Sequence, residues 1–123
     1  MQLDHVIVNV NDLAASVAFY TSILGLVHDG DDGPFAIVRV SPDFVLLLGE
    51  RATAGGDHLA FALPPAEFDA VLARLRAARV PYGDAFDSVG SQRGPGRERG
   101  ARGTGESIYF LDPSRHLLEI MRY

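Results

Sequence analysis

The run Asp4-His5-Val6-Ile7-Val8 returns roughly 55 residues later as Asp57-His58-Leu59-Ala60-Phe61, and self-similarity at a fixed long period marks a chain built from copies of one supersecondary unit. Strand alternation governs both copies. In the first, Leu3 to Val10 places His5, Ile7 and Asn9 on one face and Val6, Val8 and Val10 on the other. In the second, His58 again lies opposite two large apolar residues, Leu59 and Phe61. A histidine on the non-core face of a strand, twice over, is the constraint that the rest of the chain must satisfy.

The segments C-terminal to these two strands also match each other. After the first, Asn11 is placed to cap a helix over Asp12 to Leu24, with Leu13, Val17, Tyr20 and Leu24 along one side and Gly25 as its stop. Leu26 to Asp29 then reads as a short strand and Asp29 to Pro34 as a polar turn. Phe35 to Val40 and Phe44 to Gly49 form a hairpin around Ser41-Pro42-Asp43. After the second, Pro64 and Pro65 open a helix through about Arg79, whose stripe is Phe68, Val71, Leu72 and Leu75. Val80 to Phe86 reads as a strand, and Ile108 to Leu111 and Leu117 to Met121 as a hairpin turned by Asp112-Pro113-Ser114. Each half is β, α, β, β, β. The chain is therefore expected to be one α+β domain, with a first module over 1–50, a small-residue hinge over Arg51 to Gly56, and a second module over 57–123.

Setting Phe44-Val45-Leu46-Leu47-Leu48 against His116-Leu117-Leu118-Glu119-Ile120 pairs Leu47 with Glu119. Glu119 is an acid on a strand that otherwise asks to be buried. An unpaired buried carboxylate costs several kcal/mol, so it needs a cation, a donor or a wet cavity. The first half thus offers His5, and the second offers His58 and Glu119.

Composition narrows the chemistry. The absence of cysteine removes disulfides, thiolate metal sites and cysteine nucleophiles, and the absence of lysine removes Schiff-base catalysis. Any metal must be held by His and carboxylate. A net charge of −5 argues against nucleic acid and membrane surfaces as partners. No apolar run approaches the ~20 residues of a membrane span, and the chain enters a strand without a signal-like leader. A cytoplasmic protein is the expectation.

The segments LDHVIVNVNDLAASVAFYTSILGL, DHLAFAL and YFLDPSRHLLEI together resemble the vicinal oxygen chelate superfamily, also called the glyoxalase/bleomycin resistance/dioxygenase family. The resemblance spans the whole chain. It implies two βαβββ modules curled into a U-shaped half-barrel cleft that is completed in a homodimer, and one divalent metal per site (Fe, Mn, Ni or Zn) held by His5, His58 and Glu119. Two imidazoles and a carboxylate leave coordination positions open for substrate oxygens, where a metal can polarise a carbonyl or hold a chelating oxygen pair. Ile7, Asn9, Leu47, Ala60, Ser107 and Met121 are expected to wall the cleft, so the expected substrate is a small, aromatic or hydrophobic, oxygen-chelating molecule. Tyr109 shares a strand face with Ser107 and is the candidate acid/base.

Departures from the family pattern select among activities. Glyoxalase I and the related epimerases are expected to place a fourth polar ligand where this chain has Leu47; Glu50 lies three residues on and faces the other way. Fosfomycin-resistance enzymes are expected to carry threonine at the position of Ile7 and a lysine that this chain lacks. Both activities are disfavoured, leaving a dioxygenase-like or lyase/transferase-like enzyme, with a metal-free sequestering protein of the bleomycin-resistance type as the alternative. His28 and His116 read as surface or structural residues. The run 88–105 holds six glycines and the arginines Arg93, Arg97, Arg99 and Arg102. It reads either as a solvated loop or as a lid offering a guanidinium to an anionic substrate.

Overall fold

The computed structural model describes residues 1–123. Its first half runs β1 (His5–Val10), α1 (Leu13–Ser22), β2 (Val27–Asp32), β3 (Phe35–Ser41) and β4 (Phe44–Glu50). The second runs β5 (His58–Ala62), α2 (Pro65–Ala77), β6 (Tyr82–Gly83), β7 (Gly96–Gly100), β8 (Gly103–Leu111) and β9 (Leu117–Arg122). The first half forms a sheet in the order β1-β4-β3-β2, and the second forms one in the order β5-β9-β8-β6, with β7 also paired to β8. In both, the module's first strand lies parallel to its last and occupies the sheet edge.

Apolar alternation decides which way each sheet faces. Val8, Val10, Leu46 and Leu48 of the first sheet, and Phe61, Ile108, Leu118 and Ile120 of the second, are all buried in one cluster with Tyr20, Phe68, Leu72 and Leu75 of the helices. Each such side chain contributes about 1.5–3 kcal/mol on burial. The two modules therefore share one core, and the faces carrying His5, Ile7 and Asn9, or His58, Ala60 and Glu119, point away from it. Polar contacts join the modules at the core's margin. Tyr20 Oη donates to Asp112 Oδ2 at 2.8 Å, and Arg74 Nε donates to the Ile23 carbonyl at 2.7 Å. His116 is wholly buried. Its Nε2 meets the Asn9 carbonyl at 2.7 Å, while its Nδ1 accepts from the Asp57 amide at 3.2 Å.

Several sequence expectations are corrected. Asp12, not Asn11, caps α1, accepting from the Ala15 amide. Asn11 instead clasps the linker, exchanging two hydrogen bonds with the Thr53 backbone. The segment 51–56 is thus tied down rather than a free hinge. Gly55, at φ +82°, packs so closely on the carbonyls of Ser114 and Arg115 that any side chain would collide with them. The strand expected over Val80 to Phe86 shrinks to Tyr82–Gly83. The glycine-rich run is not wholly a loop, because Gly96–Gly100 pairs antiparallel with β8. Glycine depletes strands only as a tendency, and an available sheet edge overrides it.

Candidate metal and substrate site

Strand register places the site residues. His58 stands opposite Leu117, and Ala60 opposite Glu119, on the parallel β5–β9 pair. His5 and Ile7 stand in the same way opposite Val45 and Leu47 on β1–β4. Leu47 is therefore the structural counterpart of Glu119, as the repeat implied. Glu50 turns its carboxylate to another task, accepting from the Leu13 amide at the start of α1. A negative charge there suits the helix N-terminus.

Two of the three expected ligands converge. His58 Nε2 lies 3.2 Å from Glu119 Oε2, and Ser107 Oγ donates to Glu119 Oε1 at 2.6 Å. Glu119 has a side chain only 7% exposed, whereas His58 is about half open to solvent. The buried acid is thus answered by one hydroxyl and one imidazole, the latter reachable from outside. His5 is elsewhere: it is exposed, and Nδ1 contacts Asp4 Oδ2 at 2.7 Å. No three histidine, aspartate or glutamate side chains of one chain come together as an ion-holding group. The donor set of His58 and Glu119 fits two arms of a divalent-metal site; a third arm would have to come from outside this cluster.

Around this pair lies a cavity of about 400 Å³ lined by His58, Phe86, Glu98, Arg99, Tyr109, Leu117 and Glu119. Tyr109 is directly opposite Glu119 on β8, with its ring centroid 6.1 Å from that of His58. Burial, then the Glu119 carboxylate and more weakly Glu98, push its phenol well above the usual tyrosine range. Tyr109 therefore keeps its phenolic hydrogen at neutral pH. His58 also borders an apolar hollow of about 720 Å³, walled by residues including Val6, Val40, Phe44, Leu46, Phe61 and Leu63.

The expected cleft wall divides. Ile7, Asn9 and Ala60 are exposed and Leu47 is half-buried on outward sheet faces. Ser107 and Met121 are buried, and the Ser107 hydroxyl is taken up by Glu119. Of the four loop arginines, only Arg99 borders the cavity. Arg93 lies 3.9 Å from Asp84, Arg102 stacks on Tyr123, and Arg97 is exposed. Sequence reasoning missed Glu98 and Phe86. Glu98 would have been visible only by reading Arg97-Glu98-Arg99 as strand alternation inside a glycine-rich run.

Paired modules of this topology, each presenting a histidine on an edge strand and one a carboxylate beside it, define a class: the chain belongs to the glyoxalase/bleomycin resistance protein/dioxygenase superfamily, whose family model matches residues 2–120. Among solved structures, oxidase ChaP-H1 is similar at 29% identity with a TM-score of 0.83, covering 100% of this chain and 96% of that one. Oxidase ChaP-H2 is similar at 31% identity and the same TM-score of 0.83, covering 100% and 94%. Metallothiol transferase FosB of Shouchella clausii (strain KSM-K16) is 27% identical over 127 residues, 96% of this chain and 77% of that protein. No helix is long and apolar enough to cross a membrane.

Proposed function

We propose that this protein is a metal-dependent enzyme of oxidase or dioxygenase type, acting on a small, largely apolar substrate that chelates through two oxygens. The observation that carries this reading is the convergence of His58 Nε2 and Glu119 Oε2 at 3.2 Å on the outward face of the second sheet. Those are the two atoms that a shared ion would take. His5 supplies the third ligand from the partner in a homodimer, a reading supported by the lack of any three-residue group within one chain and by the place of β1 and β5 at sheet edges. A bound divalent ion supplies charge to polarise the chelating oxygens and open positions to receive them.

The rest is done by the chain. The apolar hollow that His58 borders receives the substrate body. Tyr109, opposite Glu119 on β8 and at the cavity wall, offers its phenolic hydrogen as a hydrogen-bond donor to a substrate oxygen. Arg99 at the cavity rim holds an anionic edge of the substrate. End-to-end likeness to two oxidases supports the oxidase branch.

The test is elemental analysis after expression in metal-supplemented medium. Stoichiometric metal that is lost in His58→Ala supports the reading; its absence from both proteins ends it. The similarity to a metallothiol transferase favours thiol transfer as the second reading, and oxygen uptake against thiol consumption separates the two. In the metal-free alternative, a sequestering protein, ligand affinity is the same with and without EDTA.

A further inference from the structure

We propose that Ser107 is the positioning residue of the Glu119 carboxylate, its buried hydroxyl occupying Oε1 so that Oε2 alone is presented beside His58 as a monodentate ligand. The inference rests on the proposed metal site. Ser107 has no exposure to solvent, and its Oγ–Oε1 distance of 2.6 Å falls in the short range of charge-assisted O–H···O⁻ bonds. An ionised carboxylate only accepts, so the serine proton lies on the line to Oε1. That orients the remaining oxygen, which is the one facing His58 at 3.2 Å. A one-oxygen carboxylate keeps a coordination position free for the second oxygen of a chelating substrate.

The strands do not need this hydroxyl for pairing, since β8 and β9 are already joined in backbone register from Glu106 to Leu117. Comparison of the modules supplies an independent argument. On the second sheet, Ser107 stands opposite Met121 and Tyr109 opposite Glu119. The equivalent places on the first sheet are Phe35, opposite Gly49, and Ile37, opposite Leu47. Where the ligand position is leucine, both neighbours are apolar; where it is glutamate, both carry a hydroxyl. Ser107 therefore accompanies the carboxylate and not the fold.

Cobalt(II) titration of the intact chain, read by visible absorption, tests the assignment. We expect Ser107→Ala to bind Co(II) about 10–100-fold more weakly, the usual effect of removing a group that orients a ligand, with altered d–d bands, and Ser107→Thr to restore both. Wild-type affinity and spectrum in Ser107→Ala overturn the proposal, as does a folded Ser107→Thr that fails to restore them. Should the alanine variant not fold, Ser107→Val and Ser107→Thr compare a methyl with a hydroxyl at equal volume. Infrared difference spectra of wild-type protein carrying ¹³C-glutamate decide independently of any variant: the wide carboxylate band splitting of monodentate binding is expected, and the narrow splitting of bidentate binding overturns it. A wild-type protein that takes up no Co(II) instead removes the metal reading itself, and this inference with it.

Discussion

Nε2 of His58 and Oε2 of Glu119 face each other at 3.2 Å across neighbouring strands, while the ring of His5, the counterpart of His58 in the first module, hydrogen-bonds to Asp4. The asymmetry sets what substitutions should do. Glu119→Gln preserves volume and the hydrogen bond to Ser107 but removes the ligand charge. It is expected to abolish stoichiometric metal while leaving the circular dichroism spectrum intact, as measured by elemental analysis beside a folding control.

A shared site makes a distinctive forecast about mixtures. If His5 of one chain completes the site of its partner, His5→Ala and Glu119→Ala dimers are each expected to lack metal at both sites. Unfolding and refolding them together at equal amounts should produce heterodimers with one intact site, so that about a quarter of the wild-type metal content returns. Recovery of none would place all three ligands within one chain, whereas metal retained by His5→Ala on its own would dispense with His5.

Tyr20 offers a pH dependence. Burial, then the charge of Asp112 beside it, raises its phenol far above the ordinary value in the folded protein. A raised folded-state pKa means that the unfolded chain releases the proton first. The associated stability is intact below about pH 10 and falls by about 1.4 kcal/mol per unit above it. Tyr109 is shifted in the same direction, so Tyr20→Phe should remove part of the alkaline slope in urea unfolding rather than all of it. At neutral pH the same variant should lose about 1–3 kcal/mol, because Asp112 is left without its phenol donor in a buried setting.

His116 is a further joint between the modules. Replacing it by alanine leaves the Asn9 carbonyl and the Asp57 amide without their partner. The two orphaned groups and the lost volume should cost about 2–5 kcal/mol in denaturant unfolding. A loss below ~1 kcal/mol would mean that water replaces the ring without penalty.

Arg99 alone among the loop arginines borders the cavity. Arg99→Ala is expected to weaken a carboxylate-bearing ligand roughly tenfold, in line with the loss of one charged hydrogen bond, whereas Arg97→Ala leaves affinity unchanged. Calorimetric titration of both variants checks this.

The sequence by itself determined the repeat, the α+β class and the outward faces of β1, β5 and β9, because strand alternation is a local rule that needs only the order of residues. It also determined that Leu47 answers Glu119, since equal modules share one register. It did not show that Asn11 holds the linker, that Gly96–Gly100 becomes a strand, or that Ser107 is buried. Each of those depends on a partner far along the chain: Thr53 for Asn11, the free edge of β8 for β7, and Glu119 for Ser107. The tertiary structure alone decided that His58 and Glu119 meet while His5 stands apart. Burying both modules' apolar faces in one core turns the faces carrying His5, His58 and Glu119 outward, and no periodicity in the sequence records which of those side chains the strand pairing brings together.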